Sequence, residues 1–418
     1  MALPVWLALV AVCSLFPAGF AWLAGLSRAP GPGPIRYLAF LPGLWLALES
    51  LRAYVLSGFP WLALGHAQTA GPLTGLLPVA GYEGAGLAAA VTNGAVLGLW
   101  RLARAGKHRA LLGGAAVVVV LLGGAWSLES VSWTRESGQG VRAALVQGAI
   151  PQAEKWDPEQ RQPTLDRYRR LTVANLDADA VVWPETALPL FAGQADDYLR
   201  RLDRHARARG TGLLVGVPER QWRDGNKRYY NALLGLGAAE GRYRKRHLVP
   251  FGEYVPLSPL LGWAERFLPG GGGFSAGTSA EPLRLDGHAL GPTICYEDAF
   301  AREVRPTVTA GADVLVNVTN DAWFGPSIGP DQHAQLARIR AQETRRPMLR
   351  VANTGRTFAT DHRGRILDNL PRDEPGVLRA TVQPRIGQTP YVRMGPWPAW
   401  GLGLAGLVLG LSAARRRG

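Results

Sequence analysis

From Ala2 to Leu26 the chain runs for 25 residues without a charged side chain. At about 1.5 Å per residue, a helix of that length crosses a hydrocarbon core of roughly 30 Å. Inside such a core each backbone amide must find its partner within its own helix or a closed barrel, so an uncharged run predicts a spanning helix. Tyr37–Leu56 is a second candidate span, with Glu49 and Arg52 at i, i+3, where they can pair on one helix face turned away from lipid. Gly84–Trp100, Ala110–Leu128 and Trp397–Ala414 complete five expected spans. Ala2–Leu26 lacks the basic start and small-residue cleavage site of a secretory leader.

Basic residues orient these spans, because cytoplasmic loops are enriched in Lys and Arg. The connection "RLARAGKHR" carries four, the tail ends in Arg415, Arg416 and Arg417, and the first connection holds Arg28 and Arg36. Ser57–Glu83 has none. Loop 57–83 and the block from 129 to about 394 are therefore expected on the extracytoplasmic side, and Met1 with them.

That block has a different texture. "VRAALVQGAI", "ADAVVWPETAL", "TGLLVGVPE", "ALGPTICYE" and "ADVLVNVTN" are short Val/Leu/Ile runs ending in turn or polar residues. Arg-rich helical stretches such as "TLDRYRRLTVANL" and "DDYLRRLDRHARARG" lie between several of them. Alternating strands and helices predict an α/β layered domain, and runs apolar on both faces predict a buried sheet. The expected organisation is a helical membrane domain over 1–128, an α/β domain over 129–394 and a final span with basic tail over 395–418.

A net charge of +14 is compatible with nucleic acid, but beside membrane segments it points to anionic headgroups, and no nucleic-acid partner is expected. The chain shows no zinc-type Cys/His cluster, P-loop or long-period repeat. Its two cysteines, Cys13 in the first span and Cys295 in the soluble block, form no disulfide framework, so Cys295 is either a packed thiol or a reactive one. Cys295 ends an apolar run in "LGPTICYEDAF", where α/β sheets gather functional side chains. "VVWPETALP" sets Glu185 after another strand, and "YRKRHLVPFGEYVP" sets Lys245 and Glu253 in a Pro/Gly-punctuated connection. His247 reads as a hydrogen-bonded structural residue, and no Ser/His/Asp arrangement is present.

Glu185, Lys245 and Cys295, in that order, resemble the nitrilase superfamily. More narrowly, the chain resembles the membrane-anchored apolipoprotein N-acyltransferases of bacteria. The resemblance rests on "VQGAIPQAEKW", "WPETALP", "HLVPFGEYVP", "ICYE" and "NDAWFGPSIGPDQH" in sequence order between apolar spans. It implies a four-layer αββα sandwich over about 140–385. It also implies Glu185, Lys245 and Cys295 as the catalytic triad, with Trp156, Glu253, Tyr296 and Glu297 in support, and no cofactor or metal. The implied donor is a phospholipid acyl chain, the implied acceptor the α-amine of a diacylglyceryl apolipoprotein, and the implied state a monomer in the bacterial inner membrane.

The chemistry agrees with those residue types. A thiolate is the nucleophile, a nearby ammonium favours it, and a carboxylate can take the proton and return it. Glu253 and Glu297 can orient Lys245 or a substrate amine, or be satisfied structural carboxylates. Leu257–Gly277, with Trp263, Phe267 and four glycines, reads either as a lid dipping into headgroups or as a loop packed on the sandwich. Trp323 and Phe324 are expected in the pocket wall. A membrane-tethered amidase with water as acceptor is the alternative enzyme, and an inactive scaffold or transporter component a third reading. Eight spans are usual in the family against five here, and Met1 is expected outside. A chain lacking its first spans is therefore expected, the alternative being a shortened enzyme whose first helix inserts N-terminus out.

Overall fold

The computed structural model describes residues 2–26, 33–104, 108–223, 225–256, 259, 262 and 273–415. Most of the expected lid, Leu257–Gly277, lies outside them. Two compact units form: Met1–Ser132 with Thr389–Gly418, and Trp133–Gln388.

In the first unit, the helices Ala2–Leu26, Leu41–Tyr54, Leu77–Arg104, His108–Glu129 and Trp397–Arg415 contain or overlap the five expected spans. Among the described residues, Trp6–Leu26 and Arg36–Ser57 are long and apolar enough to cross a membrane, while Gly113–Glu129 and Trp397–Ala413 are shorter apolar helices. Leu77–Arg104 is broken at Gly81, whose φ of +68° lies in the left-handed region that glycine tolerates. The expected Glu49–Arg52 pair is present at 3.9 Å. Each partner also fixes the chain beyond its helix: Glu49 Oε1 accepts from the Leu64 N–H at 2.8 Å, and Arg52 donates to the Trp61 carbonyl at 2.8 Å. The pair thus tethers segment 61–64 to the helix.

The second unit is two stacked sheets with helices outside. One sheet orders its strands Gly376–Val382, Val141–Gln147, Ala180–Val182, Gly212–Arg223, Asn226–Gly237 and Arg242–Arg244. The other runs Ile366–Asn369, Phe358–Thr360, Met348–Ala352, Val314–Thr319, His288–Ile294, Leu283–Leu285 and Ala239–Glu240. The central strands of each are parallel, and such strands are covered on both faces. Side chains alternate accordingly. Val141, Ala143 and Leu145 enter the core between the sheets, joined there by Leu290, Ile294, Val316, Val318 and Val351 of the other sheet. Ala144 and Val146 turn to the opposite face and pack with Leu165, Tyr168, Leu199 and Leu202 from helices Arg161–Val173 and Asp196–Arg207. Asp196–Arg207 carries acids in its first turn and bases in its last, the order the helix dipole favours. Helices Ala301–Thr309 and Gly329–Thr344 contact strands of the second sheet. The layering is αββα.

Candidate active site

Glu185 follows the short strand Ala180–Val182 through Trp183 and Pro184. Its loop lies against strand Gly212–Arg223 at Gly216, where a Cβ would come within 2.0 Å of the Pro184 carbonyl oxygen. Any larger residue there pushes the Glu185 backbone away. The carboxylate is buried and oriented from both sheets: Oε1 accepts from Asn231 Nδ2 at 2.7 Å, and Oε2 from the Asn320 N–H at 3.0 Å.

Lys245 leaves strand Arg242–Arg244 and is 1% exposed. Its Nζ lies 2.9 Å from each oxygen of Glu253 and 3.6 Å from Glu185 Oε1. Burial alone lowers an ammonium pKa, but Glu253, Glu185 and Cys295 together outweigh it and hold Lys245 above its ordinary value, so it remains charged. Glu253 Oε2 also accepts from the Val249 N–H at 2.8 Å, which closes the turn between them.

Cys295 ends strand His288–Ile294 with φ +53°, a strained left-handed turn for a side chain with a Cβ. Its carbonyl oxygen accepts from Asn317 Nδ2 and from His333 Nε2, both at 3.3 Å. Burial and the Glu185 carboxylate push the thiol pKa up while Lys245 pulls it down, the net direction being upward. The resting group is therefore a thiol, and a thiolate forms only as the proton moves elsewhere.

Glu297 is fully buried and faces the backbone. Oε1 accepts from the Arg246 and His247 N–H groups at 2.6 and 3.0 Å, and Oε2 from Tyr243 Oη and the Ile294 N–H at 2.8 and 2.7 Å. One carboxylate thus ties the Lys245 segment to the Cys295 segment. Burial raises its pKa to about 7 against the pull of those donors. Of its two readings, this geometry is the structural one. Tyr296 packs edge-on against Phe300 with ring centroids 4.9 Å apart, and His247 stacks on the same ring. Trp323 and Phe324, expected in the pocket wall, and Trp156, expected in a supporting role, are exposed.

Several residues of this region escaped the sequence reading. Lys155 lies buried with Nζ 3.5 Å from the Glu185 carbonyl oxygen. Behind the Cys295 turn, His333 bridges Asp298 at 2.9 Å and Asp321 at 2.7 Å, and Arg350 reaches the same two carboxylates at 2.6 and 3.2 Å. His333 and Asp321 lay within the quoted "NDAWFGPSIGPDQH", as Lys155 did within "VQGAIPQAEKW", but nothing in spacing alone joins them to Cys295.

Residues 142–391 match the carbon-nitrogen hydrolase family, and residues 1–95 match the apolipoprotein N-acyltransferase N-terminal domain. A protein of Methylococcus capsulatus named apolipoprotein N-acyltransferase is 44% identical over 98% of this chain and 80% of its own length. The chain belongs to the apolipoprotein N-acyltransferase family. Family members of the same name from Azotobacter vinelandii and Photobacterium profundum are 42% and 38% identical, each over 98% of this chain and about four fifths of their own length. The αββα unit, Trp133–Gln388, takes in nearly all of the carbon-nitrogen hydrolase match.

Proposed function

We propose that this family member transfers an acyl chain from a membrane phospholipid to the N-terminal amine of a diacylglyceryl apolipoprotein, through a thioester on Cys295. The observation that carries the reading is Lys245 held between Glu253 and Glu185, with Glu185 and Lys245 both acting on the thiol that the left-handed turn presents. In the first half-reaction the Cys295 sulfur attacks the lipid ester carbonyl while its proton passes to Glu185. Lys245, fixed as an ammonium, and the N–H of Tyr296 stabilise the tetrahedral oxyanion; one such donor is typically worth about 3–4 kcal/mol. The carbon–oxygen bond then breaks, Glu185 returns the proton to the alkoxide, and lysophospholipid departs. In the second, the acceptor amine attacks the thioester and Glu185 takes a proton from the nitrogen. The carbon–sulfur bond breaks, and that proton goes to the thiolate.

The membrane unit suits this chemistry, since each buried methylene of a lipid tail is worth about 0.8 kcal/mol and neither substrate leaves the bilayer readily. The proposed arrangement is five spans, basic loops in the cytoplasm and the catalytic unit on the extracytoplasmic side. The amidase alternative leaves the match to the acyltransferase N-terminal domain without a purpose.

Purified protein is incubated with phospholipid, with and without a diacylated lipopeptide, and products are weighed. Without acceptor, one acyl mass on Cys295, removed by hydroxylamine, is expected; with acceptor, an acylated amine. Cys295→Ala should give neither. Release of free fatty acid alone would favour the amidase, and an acyl mass on another residue would overturn the assignment of Cys295.

A further inference from the structure

The charges around Cys295 sort into sets. Lys245 lies within 2.9 Å of both Glu253 oxygens, one cation for one anion. Behind the turn, Asp298 and Asp321 face His333 and Arg350, two anions for two cations when His333 is protonated. Asp298 and Asp321 raise the His333 pKa to about 9 against burial and Arg350, so it is protonated at neutral pH. Glu297 is engaged by three N–H groups and Tyr243.

What is left is the Glu185 carboxylate, the Cys295 thiol and Lys155. Glu185 touches Lys245 only at 3.6 Å, a cation already held closer by Glu253. Lys155 is 5% exposed, and among the described residues it forms no ion pair within 4.0 Å. Among the described residues, the one hydrogen bond of its ammonium, at 3.5 Å, goes to the Glu185 carbonyl oxygen, and the charges that act on that ammonium are those of the Glu185 carboxyl and the Cys295 thiol. An ammonium buried without a bonded anion is costly unless a nearby negative charge offsets it.

We propose that Lys155 is the counter-ion of the one negative charge that Glu185 and Cys295 share, holding the site neutral while the proton moves between them. The inference rests on the reading of Cys295 as nucleophile. In the resting site the charge sits on Glu185; once the thiol has given up its proton, it sits on sulfur. Lys155 offsets the charge in either position, so the pair can keep its anion in the buried site while the proton moves, and Lys155 itself exchanges no proton in the step. Because Lys155 is buried, its ammonium is less firmly held than Lys245's: burial lowers its pKa to about 8, with Glu185 and Cys295 opposing. The help it gives is therefore present at neutral pH and is withdrawn as pH rises through about 8.

The test is the rate at which iodoacetamide alkylates Cys295 in the full chain, followed by peptide mass to exclude Cys13, from pH 6 to 10. An opposite charge in close range moves a pKa by about 1–3 units. Lys155→Met should therefore alkylate about ten- to a thousandfold more slowly than wild type at pH 7, and the gap should narrow as wild-type Lys155 loses its own proton above pH 8. Lys155→Arg, which stays charged, should keep pace at pH 7 and overtake wild type at pH 10. A lysine that only braces the Glu185 loop would give a ratio that does not change with pH. Such a flat ratio, or Lys155→Met within twofold of wild type at pH 7, overturns the proposal. Should Lys155→Met fail to fold, the Arg variant decides: a wild-type bend near pH 8 retained in it overturns the proposal equally. The nucleophile reading fails separately, by the absence of acyl mass on wild-type Cys295.

Discussion

Changing pH across the range of His333 tests the buried charge cluster behind the Cys295 turn. In the folded unit its imidazole has a pKa of about 9, against about 6.5 in an unfolded chain. The folded value is the higher, so the protonated form is stabilised by folding. Its contribution is fully present below about pH 6.5 and is lost as pH rises through 9. A difference of about 2.5 units at 1.36 kcal/mol each amounts to about 3 kcal/mol. For a unit of roughly 250 residues, that corresponds to about 6–12 °C in melting temperature. The assay is thermal melting of the detergent-solubilised chain at pH 6, 7, 8, 9 and 10, for wild type and His333→Gln. The variant should melt lower at pH 6, because Asp298 and Asp321 are then left with Arg350 alone and one buried carboxylate is uncompensated. Other groups titrate in this window in both proteins, so the quantity of interest is the difference between the curves. It should shrink by about 3 kcal/mol between pH 6 and 10. A difference that stays constant across the range would refute the assignment of a buried imidazolium.

Glu185→Gln and Lys245→Met keep size while removing the base and the charge, and each should lower single-turnover acylation of Cys295 on the order of 10²-fold or more; a wild-type rate in either assigns that residue a structural role. Glu297→Ala leaves three N–H groups and the Tyr243 hydroxyl without their acceptor. At about 1–3 kcal/mol for each buried donor left unpaired, it should cost at least about 4 kcal/mol by melting and abolish acylation. Unchanged melting would show that water replaces the carboxylate.

Much of the catalytic unit was legible because strand ends announce themselves locally. Val181 and Val182 before "WPE", and Leu290 to Ile294 before Cys295, are apolar runs cut off by polar residues, and that pattern needs no knowledge of partners. The Glu49–Arg52 pair was legible for the same reason, being one helical turn apart. The residues that orient Glu185 and the Cys295 turn were not, because their bonds cross long stretches of chain. Asn231 meets Glu185 over 46 residues, Asn320 over 135, and His333 meets the Cys295 carbonyl over 38. Lys155 stands beside Trp156 in a motif that drew attention, yet its burial follows from the close approach of Glu185, which only the fold supplies. Trp323 and Phe324 show the reverse: they were expected in a pocket wall, but both side chains are exposed.

The strand Gly376–Val382 lies antiparallel to Val141–Gln147, so the last long strand of the catalytic unit pairs with its first. During synthesis this becomes a question of waiting. Val141 and Val382, partners in the ladder, are separated by roughly 240 residues, and a ribosome adds about 5–20 residues each second. For some 10–50 s after it is made, the first strand has one open edge of unpaired amides flanked by apolar side chains, the kind of edge that recruits foreign strands. The first sheet cannot be finished until strand Gly376–Val382 has emerged, after every strand of the second. A nascent chain halted anywhere before Val382 is thus an aggregation hazard, and any factor that attends this chain as it emerges has the edge of strand Val141–Gln147 to guard.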